Sequence, residues 1–519
     1  MRKLQTILML GMLACALSGA WAQDSSTPPA SSSSSSSDDA SQGAPQQPVP
    51  AYGQENAPPS ISENPPLSGL DLPSLEPQAT PISYLQPGAT FSESAESNAS
   101  GVLGGGGVTS VTRALGSVTL KRLWSHYDLA LDYVGGVGYY NVAGQGFTSL
   151  QQMDIDQKIT WKRGQLSLRD SFSYLPEGNF GGSYGSLGSE GVASLGSSAF
   201  GGFWGGSSLG NLGLAPRILN VSMADISEDL SARSSVTAAG GYAFTHFYGT
   251  NAAGNSFIGS SQTSAQVGYN RIVTSHTQIA LVYGYQGFDF SVLGTAFHSH
   301  IFQGLYGHRI SGRMDLLIGA GPQLTFIDTQ SAICSDPTLP AFFCQAAGDA
   351  LVPVTIKNTK LGVAAQARLR YKFPKTALNL EYQRFQTSGS GLFAGAQSDI
   401  LQFSVERPLS RVWDAFVDVG YSNNSRLQPL SAQQLSQCNS TQTSQTACPA
   451  NDANSYTYGF VGGGVHRAFG RDFHAYFTYQ FNELAFDQSF CTVAPCSRIS
   501  NRSVATFGLD WTPRPIRID

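Results

Sequence analysis

From about residue 81 to the end, hydrophobic and polar residues alternate along the chain with a period of two. In one stretch, one face carries Phe473, Ala475, Phe477, Tyr479 and Phe481, and the other carries His474, Tyr476, Thr478, Gln480 and Asn482. Alternation of this kind predicts β-strands whose two faces meet different surroundings. Many such stretches are about 10–15 residues long with an aromatic-rich hydrophobic face, which favours membrane-spanning strands over a soluble sandwich.

The connections between the predicted strands alternate in length. Short polar turns fall at residues 125–126, 163–164, 231–233, 275–276, 311–313, 374–376, 410–411 and 470–471. The longest Gly-, Ser- and Asn-rich loops lie at about 176–216, 329–355 and 427–454. Short turns at one end and long loops at the other are typical of a transmembrane β-barrel, which pairs every backbone group within lipid.

The pattern predicts an all-β fold, a transmembrane antiparallel β-barrel of about 18 strands. The first strand, at about 83–92, has the weakest pattern, so 16 strands is the alternative. An even count places both termini on the same side, at the periplasmic turns. A barrel of this width tends to enclose an aqueous lumen. Trp161, Trp413 and Trp511 stand beside short turns or the chain end, where an aromatic girdle is expected.

The N-terminal residues predict two segments before the barrel. Residues 1–22 resemble a secretory signal peptide, with cleavage between Ala22 and Gln23. A lipoprotein signal that uses Cys15 is the alternative. Residues 23–80 form a Pro- and Ser-rich stretch, which predicts a disordered linker, while a plug or a partner-binding strand at 67–75 is the rival interpretation. The barrel then takes residues 81–519.

Composition narrows the function classes. Only 13% of the residues are charged and the formal net charge is −5, so a nucleic-acid partner is not expected. The low charge, with 57 glycines and 29 phenylalanines, also argues against a cytosolic helical protein, which would contain more Lys, Glu and Leu.

Charged residues on the polar faces of three predicted strands are the candidate pore lining. Strand parity points the following side chains inward: Asp128, Asp132, Asp154, Asp156, Lys158, Lys360, Arg368, Arg370 and Lys372. The four aspartates, with Lys158, lie on the third and fourth strands, and the other four basic residues lie on the twelfth. In a ring of 18 these sets face each other, which predicts a transverse electric field across the lumen. Local pairing of each charge with a neighbour is the alternative.

Six cysteines follow the signal peptide. They fall in sequential pairs: Cys334 and Cys344, Cys438 and Cys448, Cys491 and Cys496. Each pair is predicted within a single extracellular loop and no predicted strand contains a cysteine, which favours three disulfides in an oxidising compartment. Metal binding is the rival, but no histidine accompanies the pairs.

Other chemical motifs are poor. The G-x-S-x-G matches at 181–185 and 206–210 lie in a Gly/Ser-rich loop rather than the strand–turn–helix context of a nucleophile elbow. His298 and His300 share one strand face without an acidic or Cys partner at ligand spacing, so a hydrogen-bonded pair is expected instead of a metal site. We therefore expect no catalytic residues, no metal and no cofactor.

Two segments, at 170–177 (DSFSYLPE) and 406–411 (ERPLSR), together with the signal peptide and the aromatic-rich final strand, resemble an uncharacterised family of bacterial outer-membrane porin-like barrels. The resemblance implies a Gram-negative outer membrane, contact with its lipid and lipopolysaccharide, and insertion by the barrel-assembly machinery. Two features depart from it. The chain continues past Trp511 to Asp519, and Asp170 falls on the lipid-facing parity, which a bulge or an interfacial position would explain.

The favoured function is a channel for passive diffusion of small hydrophilic solutes. The sequence leaves the oligomeric state open, and a homo-oligomer is one alternative. Alternatives are a dedicated exporter or importer of polysaccharide or lipid, and an outer-membrane enzyme or non-conducting structural protein. Known barrel enzymes cluster an acid, a base and a nucleophile at a rim, and the sequence offers no such cluster.

Overall fold

The computed structural model describes residues 67–68, 82–98, 106–141, 146–175, 217–248, 258–334, 351–389, 392–428, 453–487 and 497–518. Within these residues the chain forms eighteen long β-strands and one two-residue strand. Their bounds are β1 Tyr84–Ser97, β2 Val108–Leu123, β3 Tyr127–Tyr140, β4 Gly146–Trp161, β5 Gly164–Leu175, β6 Arg217–Ser231, β7 Ser234–Phe247, β8 Ser260–Thr274, β9 Thr277–Phe290, β10 Thr295–Ser311, β11 Met314–Cys334, β12 Leu351–Lys372, β13 Ala377–Thr387, β14 Ala396–Pro408, β15 Trp413–Arg426, β16 Ser455–Phe469, β17 Phe473–Phe486, β18 Ile499–Trp511 and β19 Ile516–Arg517.

The strands form one closed antiparallel barrel. Each of the first eighteen strands pairs with its neighbours in chain order, and β1 pairs with β18 from Ala89 opposite Trp511 to Glu96 opposite Val504. This last pairing removes both free sheet edges. The predicted fold class and the count of 18 are confirmed, and the alternative of 16 strands is wrong.

The end of the chain completes the closing seam. After Trp511 the backbone continues to β19, where Ile516 pairs with Leu85 and Arg517 with Tyr84 of β1. Gln86 Nε2 also donates a hydrogen bond to the Pro513 carbonyl oxygen at 3.1 Å. The residues beyond the final aromatic strand therefore extend the β1 pairing to the end of the barrel that carries the short turns, here named the turn end.

The opposite end, here named the loop end, differs from expectation at β11 and β12. The loop predicted at 329–355 is shorter, because β11 continues to Cys334 and β12 begins at Leu351 in unbroken register. Val352 and Val354 supply β-branched residues that favour strands. The expectation that no strand contains a cysteine is therefore wrong for Cys334. The first strand is also longer than expected and ends at Ser97.

The two faces of each strand differ sharply in burial. On β8, Gln262, Gln266 and Asn270 are buried, whereas Val267 and Tyr269 are 52% and 41% exposed. In a closed barrel the buried face points into the interior, here called inward, and the exposed face points outward. Large apolar side chains such as Leu281 and Leu361 cover the outward face, which is the surface that lipid requires. None of the described residues forms a helix long and apolar enough to cross a membrane.

Aromatic residues mark the turn end of the outward face. Trp161 and Trp511 are both 39% exposed, at the last positions of β4 and β18, and Trp413 begins β15. The Arg467 guanidinium lies 5.2 Å from the Trp413 ring centroid. Amphipathic rings at this level match the preference of tryptophan for membrane interfaces.

Candidate functional site

The interior wall of the barrel is the candidate functional site, because inward side chains from every long strand converge there. The wall is mainly polar, with buried glutamine, asparagine, serine and threonine side chains on most strands. Its carboxamides and hydroxyls can both donate and accept hydrogen bonds. Such a lining suits uncharged and weakly charged hydrophilic molecules.

The acidic candidates lie on the inward faces of β3 and β4. Asp128 stands opposite Lys158, and Asp132 stands opposite Asp154 across the two strands. Asp154 is 2% exposed and accepts hydrogen bonds from Gln152 Nε2, at 3.0 Å, and from the Ser171 hydroxyl. These contacts hold a carboxylate away from bulk water while satisfying both of its oxygens.

Asp156, the fourth acidic candidate, is compensated locally. Its carboxylate accepts a hydrogen bond from the Arg169 guanidinium on β5 in an ion pair, and the two residues are direct cross-strand neighbours. Arg169 was not among the residues predicted from the sequence to line the lumen. The available signal was strand alternation. Arg169 is adjacent to Asp170 on β5, and because Asp170 has the outward parity, Arg169 has the inward one.

The basic candidates share the inward face of β12. Arg370 donates hydrogen bonds to Asp315 Oδ2 from Nε at 2.9 Å and from Nη2 at 2.5 Å. Arg368 lies directly opposite Glu381 of β13. Lys360 and Lys372 are exposed, and among the described side chains no ion pair includes either of them. Neighbouring side chains thus compensate part of the charge in both the acidic and the basic set.

A buried ionic cluster at the closing seam was missed by the sequence analysis. Glu96 is 1% exposed, and its two carboxylate oxygens contact Arg113 Nη2 at 3.2 Å and Arg502 Nη2 at 2.5 Å. The three residues come from β1, β2 and β18, so only closure of the barrel assembles them. No local sequence pattern links residues separated by about four hundred positions, apart from their shared inward parity.

An apolar stripe interrupts the polar wall. Its buried members come from five strands and pack against one another: Val221, Met223, Ala239, Ala280, Val282, Ile301, Leu305 and Ala364. Leu67, which precedes the barrel in the chain, packs against this stripe. Apolar side chains in a water-filled lumen would be costly to leave uncovered, so a covering group stabilises this region.

Two outward features answer questions that the sequence raised. Asp170 is outward, and β5 pairs with both neighbours in continuous register there, so a bulge does not explain it. Instead the Ser222 hydroxyl donates a hydrogen bond to its carboxylate, as does Asn220 Nδ2 at 3.2 Å. A shallow cavity of about 490 Å³ opens beside them. The carboxylate therefore sits in a small polar network within an apolar surface.

His298 and His300 are each hydrogen-bonded, as expected, and each bonds to a tyrosine of the neighbouring strand β9. His298 Nδ1 lies 2.8 Å from the Tyr285 hydroxyl, and His300 Nδ1 lies 2.8 Å from the Tyr283 hydroxyl. Both histidines are outward. Within the described part of the chain, no group of three or more His, Cys, Asp or Glu residues could hold a metal ion.

Several candidate sites lie outside the described residues. They are the signal cleavage site at Ala22 and Gln23, both G-x-S-x-G matches, and Cys344, Cys438, Cys448, Cys491 and Cys496. The backbone of Cys334 ends β11.

Comparison with known proteins gives structural likeness only. No protein-family model matches the chain, and no curated protein sequence is similar to it. OccK2 (OpdF) of Pseudomonas aeruginosa is 8% identical, with 82% of this chain and 98% of that chain aligned and a TM-score of 0.37. OprD of P. aeruginosa is 9% identical, with 83% of this chain and 95% of that chain aligned and a TM-score of 0.36. The ferric-catecholate import receptor Fiu of E. coli K12 is 9% identical, with 84% of this chain and 82% of that chain aligned and a TM-score of 0.41. Because these values are low, the fold assignment rests on the strand pairing described above.

Proposed function

We propose that this protein is an outer-membrane channel through which small hydrophilic solutes diffuse passively. The observation that carries the proposal is the two-sided wall of a closed barrel of eighteen long strands, apolar outward and polar inward. Closed barrels of this strand number are wide enough to enclose an aqueous path. The inward carboxamides, hydroxyls and charges would then replace part of a passing solute's hydration.

The orientation and partners belong to the same proposal. The aromatic residues at the turn end suit a membrane interface, and we place the turn end, with both chain termini, in the periplasm. The outward face would contact outer-membrane lipid and lipopolysaccharide, and the barrel-assembly machinery would insert the chain. The charged wall residues of β3, β4 and β12 would line the solute path, and we assign no catalytic role to the wall.

Electrical recording of the refolded full chain in planar lipid bilayers tests the channel. We expect steady ohmic current steps, together with swelling of liposomes in small sugars but not in large polymers. Protein added in its urea-unfolded state is the control and should give no steps. Correctly folded, heat-modifiable protein that inserts without current would contradict the proposal and favour a structural role. Transport of polysaccharide or lipid-like molecules, without liposome swelling in small sugars, would favour a dedicated transporter.

A further inference from the structure

Leu67 and Ser68, from the segment before the barrel, lie against the inner wall. The Ser68 amide donates a hydrogen bond to Asn270 Oδ1 at 2.9 Å, and its carbonyl oxygen accepts one from Gln266 Nε2 at 2.9 Å. Its hydroxyl lies 2.5 Å from Thr237 Oγ1 and accepts a hydrogen bond from Asn270 Nδ2 at 2.5 Å. Every polar group of Ser68 therefore has a partner on the inward face of β7 or β8.

The wall also has space shaped for these two residues. Gly307 of β10 faces Leu67, and a Cβ atom added to this glycine would lie 2.7 Å from Leu67 Cδ2. Gly268 of β8 faces Ser68, and a Cβ atom there would lie 2.2 Å from Ser68 Cβ. Any larger residue at either position would collide with the docked segment, so the two glycines permit close approach. Leu67 also covers part of the apolar stripe.

The docking position and the start of β1 lie at the same end of the barrel. Asn270 and Thr237 lie within a few residues of the short turns that follow β8 and precede β7, so the contact is in the turn-end half of the lumen. Tyr84, where β1 begins, is also at the turn end because it pairs with Arg517 of the tail. A linker that stayed outside the barrel would not reach the inward faces of β7, β8 and β10.

We propose that Leu67 and Ser68 dock on the inner wall in the turn-end half of the lumen and thereby narrow the solute path, as a blocker tethered to β1 by the intervening chain. The contact stands on its own geometry, while its effect on solute flow rests on the proposed channel function. Hydrogen bonds to all of the Ser68 polar groups and burial of Leu67 on the stripe favour the docked state. The apolar stripe is thus a receptor surface for this chain's own N-terminal segment.

An engineered disulfide tests the contact in the full chain. In the Ser68→Cys, Thr237→Cys double variant the two sulfurs replace oxygens that lie 2.5 Å apart, so a bond should form on mild oxidation and be found by peptide mapping. Ser68→Cys with Thr245→Cys is the control, because Thr245 is inward on the same strand but far toward the loop end. Bonding in the control alone, or in neither variant, would overturn the docking.

Conductance of the double variant tests the blocking. We expect low current from the oxidised form and a rise of about twofold or more on reduction, since the released segment leaves a wide lumen. Wild-type protein with the same reductant controls for the native cysteines. Equal conductance of the two forms would overturn the blocking. Absence of current in both forms, with the engineered bond present, would overturn the channel function and with it the blocking, while the docking contact would stand.

Substitution of a glycine in the wall tests the blocking a second time, without redox chemistry. The side chain in Gly268→Val would occupy the position of Ser68, so the conductance should rise although the lumen gains atoms. Gly304→Val is the matched control, because an added Cβ on the outward face of β10 meets nothing within 4 Å. A conductance that fell in Gly268→Val relative to this control would contradict the blocking.

Discussion

Asp170 puts a carboxyl group on the outward surface of β5, where its hydrogen bonds come from Asn220 and Ser222. A lipid-facing charge is destabilising, although less so for Asp than for Arg or Lys. We expect Asp170→Asn to raise the free energy of unfolding by about 1 kcal/mol, since it removes the charge and keeps an acceptor oxygen. Asn220→Leu, which removes a donor, should lower it by about 1–2 kcal/mol.

Urea unfolding in lipid vesicles measures both changes. A loss of stability in Asp170→Asn would mean that the charge itself has a partner, and the cavity beside Ser222 and Tyr242 would be the place to look for it.

The Glu96 cluster predicts a large effect from a small change. Glu96→Gln would leave the buried guanidiniums of Arg113 and Arg502 without their shared carboxylate. Breaking a buried ionic contact by removing one partner costs about 3–5 kcal/mol. Glu93→Gln, on the exposed face of the same strand, should change the stability by less than about 1 kcal/mol. Denaturant midpoints compare the two variants, and equal midpoints would show that Glu96 does not hold the seam.

Among the elements, β19 predicts a local effect. Truncation after Trp511 removes the β19 partners of Tyr84 and Leu85, but it leaves both residues paired with β2 and leaves β18 paired with residues 89–96 of β1. Hydrogen exchange should therefore become faster at the start of β1, which keeps only one neighbouring strand, and stay slow over residues 89–96, which serve as the internal control. Uniformly fast exchange along β1 would show that the tail holds the whole seam, and unchanged exchange would show that it holds none of it.

The cysteine pairs belong to the loop-end elements. We predict three disulfides, Cys334 with Cys344, Cys438 with Cys448 and Cys491 with Cys496, each closing a loop of roughly 5–10 residues for about 2–3 kcal/mol of stabilisation. The first would clamp the end of the long β11–β12 hairpin, because Cys334 is the last residue of β11. Peptide mapping without reductant checks the pairing. Free thiols or bridges between different loops would refute it.

The sequence predicted the elements better than their ends. Strand number, short turns and inward parity follow from the period of two, which is a local property of each strand. The extension of β11 and β12 beyond their predicted ends did not follow, since it depends on the pairing of residues 327–334 with residues 351–358 rather than on either segment alone. The pairing of β19 with Tyr84 and the cluster around Glu96 also did not follow, because both depend on contacts between the two ends of the chain.

Across the barrel, the charged residues on β3–β4 and those on β12 are predicted to face each other. In the closed ring of eighteen long strands, β3 and β12 are nine places apart. Opposed charges across a lumen with low-dielectric walls focus an electric field on the solute path. The ion pairs Asp156–Arg169 and Asp315–Arg370 weaken that field, because each carries no net charge. We therefore expect Lys360 and Lys372, which form no ion pair among the described side chains, to contribute more to charge selectivity.

We accordingly expect Lys360→Glu and Lys372→Glu to shift the reversal potential in a salt gradient toward cation selectivity. The paired substitution Asp315→Asn with Arg370→Gln is the control, since it removes a neutral pair and should leave the potential nearly unchanged. Arg368→Glu with Arg370→Glu should also shift selectivity toward cations, though with a loss of stability because Asp315 and Glu381 would face new acids. A reversal potential that ignored all of these substitutions would show that the inward face of β12 lies off the conducting path.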